Sequence, residues 1–329
     1  MKKKIIIGLS FVVVLLGVML LAFGLRKNKD SSLTKVRLAE VTHSSFYSPL
    51  YVAIEKGYFK EAGIDLELIL TQGADKVSAA VLSGDVEIGF AGAESAIYVY
   101  KQDEGDYLQL FAGLTKRDGQ FIVSRKEIKD FKLEDLYNKE ILVGRSTGMP
   151  ALNFLNALKK NNIDTNKINV NTAVEFSALS GSFIGGVGDF VNLFEPNAAA
   201  LVKQGYGHVV ASVGMLSGEV PYTAFYARKS YVKNHKDIVK KFTDAINKGI
   251  KYTLDNDAEV VAKDIINQFP DTSVKDLAEM IKRYKKYDCW LANPYISEGL
   301  FTNLEDFLID FNLLDEYVPY EDLVNNFYE

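Results

Sequence analysis

"VRLAEVTHSSFYSPLYVAIEKGYFKEAGIDLELIL", Val36 to Leu70, holds two apolar runs with a helical pattern between them. Val36–Val41 and Ile64–Leu70 interleave apolar residues with Arg37, Glu40, Asp65 and Glu67, as half-buried strands do. Pro49–Lys56 follows a Ser48-Pro49 step, and proline suits the first helical position because the N–H it lacks would be unpaired there. Strand, helix, strand at this spacing is the unit of an α/β architecture. The alternation continues with strands at Glu87–Phe90, Glu140–Val143, Ile168–Thr172 and Phe190–Phe194. Helices are expected at Ala74–Leu82, Ala93–Gln102, Pro150–Asn161 and Pro196–Gln204, two of them again opening on proline.

Two segments break the rhythm. Leu108–Lys126 and His208–Ser230 each read as extended chain interrupted once by a polar, Gly-containing stretch. Such crossings let a chain leave one α/β lobe, build a second and return. After Val232 the pattern becomes helical, with Ile238, Phe242, Ala245, Ile246 and Gly249 at helical spacing. Val274, Leu277, Ala278, Ile281 and Tyr284 repeat it, as do Leu304, Phe307, Leu308 and Phe311.

Composition narrows the function classes. A net charge of −5 argues against nucleic acid as the main partner. Cys289 is the single cysteine and there are three histidines, so neither an internal disulfide nor a His-rich metal site is expected. No cofactor is implied. At the start, "MKKK" precedes the uncharged run Ile5–Gly24, and "LRKNKD" follows it. A cationic leader before an apolar run is a secretion signal or a membrane anchor, and this run is long enough to span a bilayer. Residues 1–25 are therefore expected to be a signal or anchor helix and 26–34 a polar linker. Ala22-Phe23-Gly24 offers a cleavage site, which would leave a secreted chain. The rest is expected outside the cytoplasm.

Several residues carry candidate chemistry. Gly144-Arg145-Ser146-Thr147-Gly148 fits the G-x-S-x-G of a nucleophile elbow, between a strand and a helix. Asp189 or Glu195 and then His208 or His235 would complete a hydrolase order. The same loop also suits a non-catalytic use, because a Gly/Ser/Thr loop entering a helix presents free N–H groups to a ligand. "GSFIGGVG" (Gly181–Gly188) lacks the Walker spacing and reads as turns. His43, Phe46 and Tyr47 follow the first strand, Gln72 and Gly73 the second, and Glu94 the third. These are the positions where open α/β sheets bind ligands.

"FYSPLYVAIEKGYFKEAGIDLELI" (Phe46–Ile69), "GADKVSAAVLSGDVEIGFAGAES" (Gly73–Ser95) and "GDFVNLFEPNAAALVKQG" (Gly188–Gly205) occur in that order. Together they resemble the solute-binding proteins of ABC importers, in the branch taking nitrate, sulfonates, taurine and thiamine-pyrimidine precursors. The resemblance implies a two-lobed periplasmic-binding-protein-like fold of type II, with a ligand cleft between lobes and a helical C-terminal third. It assigns 35–118 plus 226–329 to lobe 1 and 119–225 to lobe 2. Tyr47, Gln72, Glu94, Thr147, Met149 and Glu195 would line the cleft. A small-molecule ligand and ABC permease subunits would be the partners, with the chain itself a monomer and not an enzyme. Fungal pyrimidine synthases share the fold, but their cysteine-rich iron motif has no counterpart in a chain with one cysteine.

Carboxylates decide the ligand reading. Glu94, Asp118, Asp189 and Glu195 are all placed for the cleft or its rim, where they would repel an anion. A carboxylate instead accepts hydrogen bonds from an amino group and a neighbouring ring nitrogen, with Tyr47, Phe46 or Phe194 stacked on the ring. A flat, amino-bearing heterocycle is the preferred ligand; backbone N–H groups at Asp189 and Glu195 would return the preference to an anion. Asp189 and Glu195 sit at opposite ends of one strand, so they cannot share a small ligand. Asp189 is expected to be a turn residue and Glu195 a ligand contact.

Overall fold

The computed structural model describes residues 33–102 and 105–328. The expected N-terminal helix and most of its linker lie outside the described residues. No described helix is long and apolar enough to cross a membrane.

The chain starts with β1 (Thr34–Glu40), α1 (Ser48–Glu55), α2 (Tyr58–Glu61), β2 (Ile64–Leu70), α3 (Ala74–Ser83), β3 (Ile88–Gly92), α4 (Glu94–Tyr100) and β4 (Leu108–Thr115). It then crosses to a second lobe of β5 (Phe121–Ser124), β6 (Glu140–Leu142), α5 (Met149–Lys160), β7 (Asn169–Asn171), α6 (Leu179–Ile184), β8 (Phe190–Leu193), α7 (Asn197–Lys203), β9 (His208–Ser212) and α8 (Val213–Ser217). Having returned, it adds β10 (Thr223–Arg228) and the helices α9 (Lys229–Asn234), α10 (Lys236–Asp255), α11 (Ala258–Ile265), α12 (Val274–Lys286), α13 (Glu298–Asp310) and α14 (Tyr320–Leu323).

Each lobe is built on a mixed five-stranded sheet, in the orders β2-β1-β3-β10-β4 and β7-β6-β8-β5-β9. In the first, β1 runs parallel to β2 and β3, while β10 is antiparallel to β3 and β4. In the second, β6 is parallel to β7 and β8, and β5 is antiparallel to β8 and β9. The strands that carry the parallel pairs are those the alternating pattern picks out, because helices cover both faces of such sheets. The two extended segments are the crossings. They lie side by side, with Val220 N and Tyr222 N donating to Lys116 O and Thr115 O at 3.0 Å. The chain re-enters the first sheet at Thr223, so Thr223–Phe225 belong to β10 rather than to the second lobe.

Packing follows the apolar faces. In α10, Ile238, Phe242, Ala245, Ile246 and Gly249 are buried against the first lobe. Gly249 has a specific reason: a Cβ there would come within 2.2 Å of the Pro49 carbonyl oxygen, so the helices α1 and α10 touch through bare backbone. Leu277, Ile281 and Tyr284 of α12 and Leu304, Phe307 and Leu308 of α13 are likewise buried.

The prolines depart from expectation. Ser48 and Met149 are the first residues of α1 and α5, with Pro49 and Pro150 second. Pro196 precedes α7 as its cap, after a cis Glu195–Pro196 peptide. The second position is as tolerant as the first, since the opening N–H groups of a helix all lack an intrahelical partner. Ser48 is helical rather than extended because the 3₁₀ turn Ser45–Tyr47 runs straight into α1.

Candidate functional site

Residues just after β1, β2 and β3 face residues just after β6 and β8 across a cavity of about 280 Å³. The first lobe contributes Val41, Thr42, Tyr47, the run Gln72–Lys76, Gly92 and Glu94. From the second lobe come Gly144, Arg145, Gly148–Pro150, Glu175–Ser177, Phe194 and Asn197. Tyr222, on the returning crossing, and Thr223 complete the wall. Ligands of open α/β sheets bind at such carboxyl edges, where strand ends splay into loops and helix starts.

Of the expected contacts, Tyr47, Gln72, Glu94 and Met149 line the cavity. Tyr47 is 2% exposed and packs edge-on against Phe90, with ring centroids 4.5 Å apart. Burial drives its hydroxyl pKa well up, against the lowering effect of the neighbouring Thr223 side chain. Behind it, Phe46 is completely buried among Tyr47, Phe194, Tyr222 and Tyr284. Phe46 is thus part of the wall's foundation.

Glu94 is the chemically unusual member. It is 2% exposed, opens α4, and its Oε2 has no hydrogen-bond partner. Burial pushes its carboxyl up to about 8, while its own amide and that of Met149 pull the other way. Met149 is the first residue of α5, so a carboxyl from one lobe faces the helix start of the other. Gln72 and the Asp75–Arg145 ion pair, 3.0 Å long and largely exposed, lie at the mouth.

Thr147 and Glu195 do not line the cavity. Thr147 is exposed, and its carbonyl accepts from the Tyr98 hydroxyl at 3.3 Å. Glu195 is 1% exposed, and its carboxylate is fully engaged elsewhere. One oxygen takes the Arg283 guanidinium of α12 and the other the Ala199 amide at 2.8 Å. Its amide accepts nothing but donates to the Tyr284 hydroxyl at 2.9 Å, and its carbonyl accepts from Ser44 Oγ. Glu195 is therefore a structural joint between lobes. Asp118 is fully buried in the outgoing crossing, where Oδ1 accepts from the Gln120 amide at 2.6 Å. Asp189 is exposed and accepts from the Glu140 amide at 3.1 Å, a strand-end role. His43 is held by Glu40 at 2.7 Å and the Gln268 carbonyl at 2.8 Å, away from the cavity wall.

The hydrolase constellation is not assembled. Ser146 is exposed and off the cavity wall. His208 sits on β9 opposite Ser124, and His235 lies between α9 and α10 on the first lobe, its ring 4.5 Å from Tyr231. No histidine lines the cavity among the described residues. Sequence reasoning missed Tyr222, Phe176 and Arg283. Tyr222 follows Pro221 in a crossing and could have been marked as an aromatic at the hinge; Arg283 carries no local signal, since one cation on a Lys-rich helix looks like solvated surface.

Comparison with known proteins agrees with this geometry. A Bacillus subtilis chain named as a binding protein, YtlA, is 39% identical over 311 residues, covering 94% of this chain and 93% of that one. The alkanesulfonate-binding protein SsuA of Xanthomonas axonopodis pv. citri, bound to MOPS, superposes with a TM-score of 0.69 at 15% identity, over 89% of this chain and 98% of its own. A Candida albicans gene product with the generic periplasmic binding protein fold matches at a TM-score of 0.66 and 16% identity, covering 89% and 96% of the two chains. Residues 45–260 match the model of the NMT1/THI5 like family. The chain belongs to that family, and it has the two-lobed α/β fold of periplasmic binding proteins.

Proposed function

We propose that the chain is the extracytoplasmic solute-binding component of an ABC importer, closing its lobes on a small molecule and delivering it to a membrane permease. Family membership, a relative named as a binding protein and a cavity between two lobes joined by paired crossings support this reading. Hinge closure is the motion such crossings permit. The apolar run Ile5–Gly24 supports export, with the chain either anchored by it or released after cleavage. The chain acts as a monomer and without chemistry of its own.

The ligand is a flat, amino-bearing heterocycle such as a pyrimidine. Asp189 and Glu195 are satisfied by backbone N–H groups and no longer argue against an anion. The observation that carries the heterocycle is Glu94, a buried carboxyl with an unpartnered oxygen, which lines the cavity with Tyr47, Phe194 and Tyr222. Small-molecule sites pair aromatic walls with a few oriented polar groups, and an acceptor of this kind selects N–H donors. The test is a thermal-shift panel of aminopyrimidines, alkanesulfonates, nitrate and flavins, since a ligand that binds only the native state raises Tm. A shift with aminopyrimidines alone is expected. A shift with sulfonates or nitrate and none with pyrimidines would overturn the ligand assignment.

A further inference from the structure

The Glu94 carboxyl and the start of α5 meet across the cleft, and the meeting has a specific geometry. α5 is a twelve-residue helix whose cap, Gly148, brings no side chain to its N-terminus, and Pro150 brings no N–H. An uncapped helix start of this length holds anions through its free amides and the positive end of its dipole. Here the group facing it comes from the opposite lobe: Glu94, 2% exposed, with the Met149 amide near enough to favour its charged form. The carboxyl folds back over Gly92, where a Cβ would lie 2.0 Å from Glu94 Oε2, so a larger residue at 92 would push it off its seat. That oxygen remains without a partner, and Glu94 lines a cavity with room for more than water.

We infer that the Glu94 carboxyl occupies the oxyanion seat at the head of α5, and that this one residue sets the class of ligand. An exogenous sulfonate or carboxylate entering the cavity meets a seat already filled and a buried acid beside it. A donor-bearing ligand instead meets the unpartnered oxygen. This deepens the heterocycle reading of the previous section and rests on it for the wild-type ligand, but the seat itself is tested separately. Removing the carboxyl frees the Met149 end of α5 for an oxyanion from solution.

The experiment compares the full-length wild type with Glu94→Ala, Glu94→Ser and Glu94→Gln, using sodium methanesulfonate and 4-aminopyrimidine as probes in thermal-shift and titration calorimetry. Glu94→Ala and Glu94→Ser are expected to gain saturable methanesulfonate binding at least about tenfold tighter than wild type, equivalent to about 1.4 kcal/mol, and to lose the 4-aminopyrimidine shift. Glu94→Gln keeps the seat filled by a neutral group of the same shape, so it should gain no methanesulfonate binding. Either wild-type binding of methanesulfonate as tight as that of Glu94→Ala, or a folded Glu94→Ala and Glu94→Ser that both ignore it, overturns the inference. Equal gain by Glu94→Gln also overturns it, because a filled seat would then not be what excludes the oxyanion. Absence of a 4-aminopyrimidine shift in wild type counts against the heterocycle reading, while the methanesulfonate arm still decides the seat.

Discussion

Glu94 ties stability to pH in a direction opposite to most carboxylates. Its unfolded carboxyl titrates near 4.5 and its folded one near about 8, raised by burial. Between those values the folded chain holds a proton that the unfolded chain has lost, so stability falls as pH rises. Glu94→Gln should remove this slope, making the variant roughly 4 kcal/mol more stable than wild type at pH 8 and nearly equal to it at pH 4.5. Urea midpoints at the two pH values measure the gap, and a gap that does not widen with pH would refute the assignment. His43 acts in its own pH range. Burial lowers its pKa, but the bond to Glu40 and the Gln268 carbonyl outweigh that and raise it overall. Its contribution is present below the ordinary histidine value and fades as pH rises through the folded one.

At the scale of elements, the contact between α1 and α10 is set by the absence of a side chain. Gly249→Ala would place a methyl 2.2 Å from the Pro49 carbonyl oxygen and 3.0 Å from the Ala53 Cβ. The obstruction is backbone, which cannot rotate away, so a loss of about 2 kcal/mol or more is expected, read as a lower urea midpoint at unchanged m-value. An unchanged midpoint would mean that α10 slides without cost. Elements of this kind were the legible part of the sequence. Ile64–Leu70 matches its expected bounds, and the other expected strands and helices of the alternating stretch match to within two residues, because burial of a face imposes a period. The short helices α2 and α6 have no such signal, and the Gly-rich stretch Gly181–Gly188, expected to be turns, begins inside α6. Cavity walls were legible for a related reason: residues following parallel strands must face the carboxyl edge, which is how Tyr47, Gln72 and Glu94 came to be named. Glu195 occupies the same kind of position, but its carboxylate turns to Arg283 and the Ala199 amide and does not line the cavity. Its partner Arg283 lies 88 residues away on α12, and no local pattern reports a pairing of that range.

For the whole molecule, that pairing is one of the joints between lobes. Glu195 is buried and Arg283 partly so; burial raises the Glu195 pKa even though Arg283 and the Ala199 amide oppose it. Removing one partner of a buried pair leaves the other's charge uncompensated. Arg283→Ala should therefore destabilise by about 3 kcal/mol, and adding Glu195→Gln should recover part of the loss. If the double variant is no better than Arg283→Ala in chemical denaturation, the pairing is not what holds this joint. The exposed Asp75–Arg145 pair at the opposite rim, by contrast, contributes little to stability, since solvent screens it.

The position of β10 bears on how the chain comes to be folded at all. It lies between β3 and β4, inside the first sheet, although the entire second lobe is synthesised between β4 and β10. As the polypeptide emerges, β3 and β4 wait with open edges for a partner more than a hundred residues downstream, while the second lobe has all its strands in one continuous stretch. Assembly is thus nested: the inner lobe can close first, and its closure brings Thr223 back beside Thr115, delivering β10 to its slot. A ribosome or translocation pore that released the chain before Arg228 would leave the first lobe split in two, with β3 and β4 exposed to pairing with other chains.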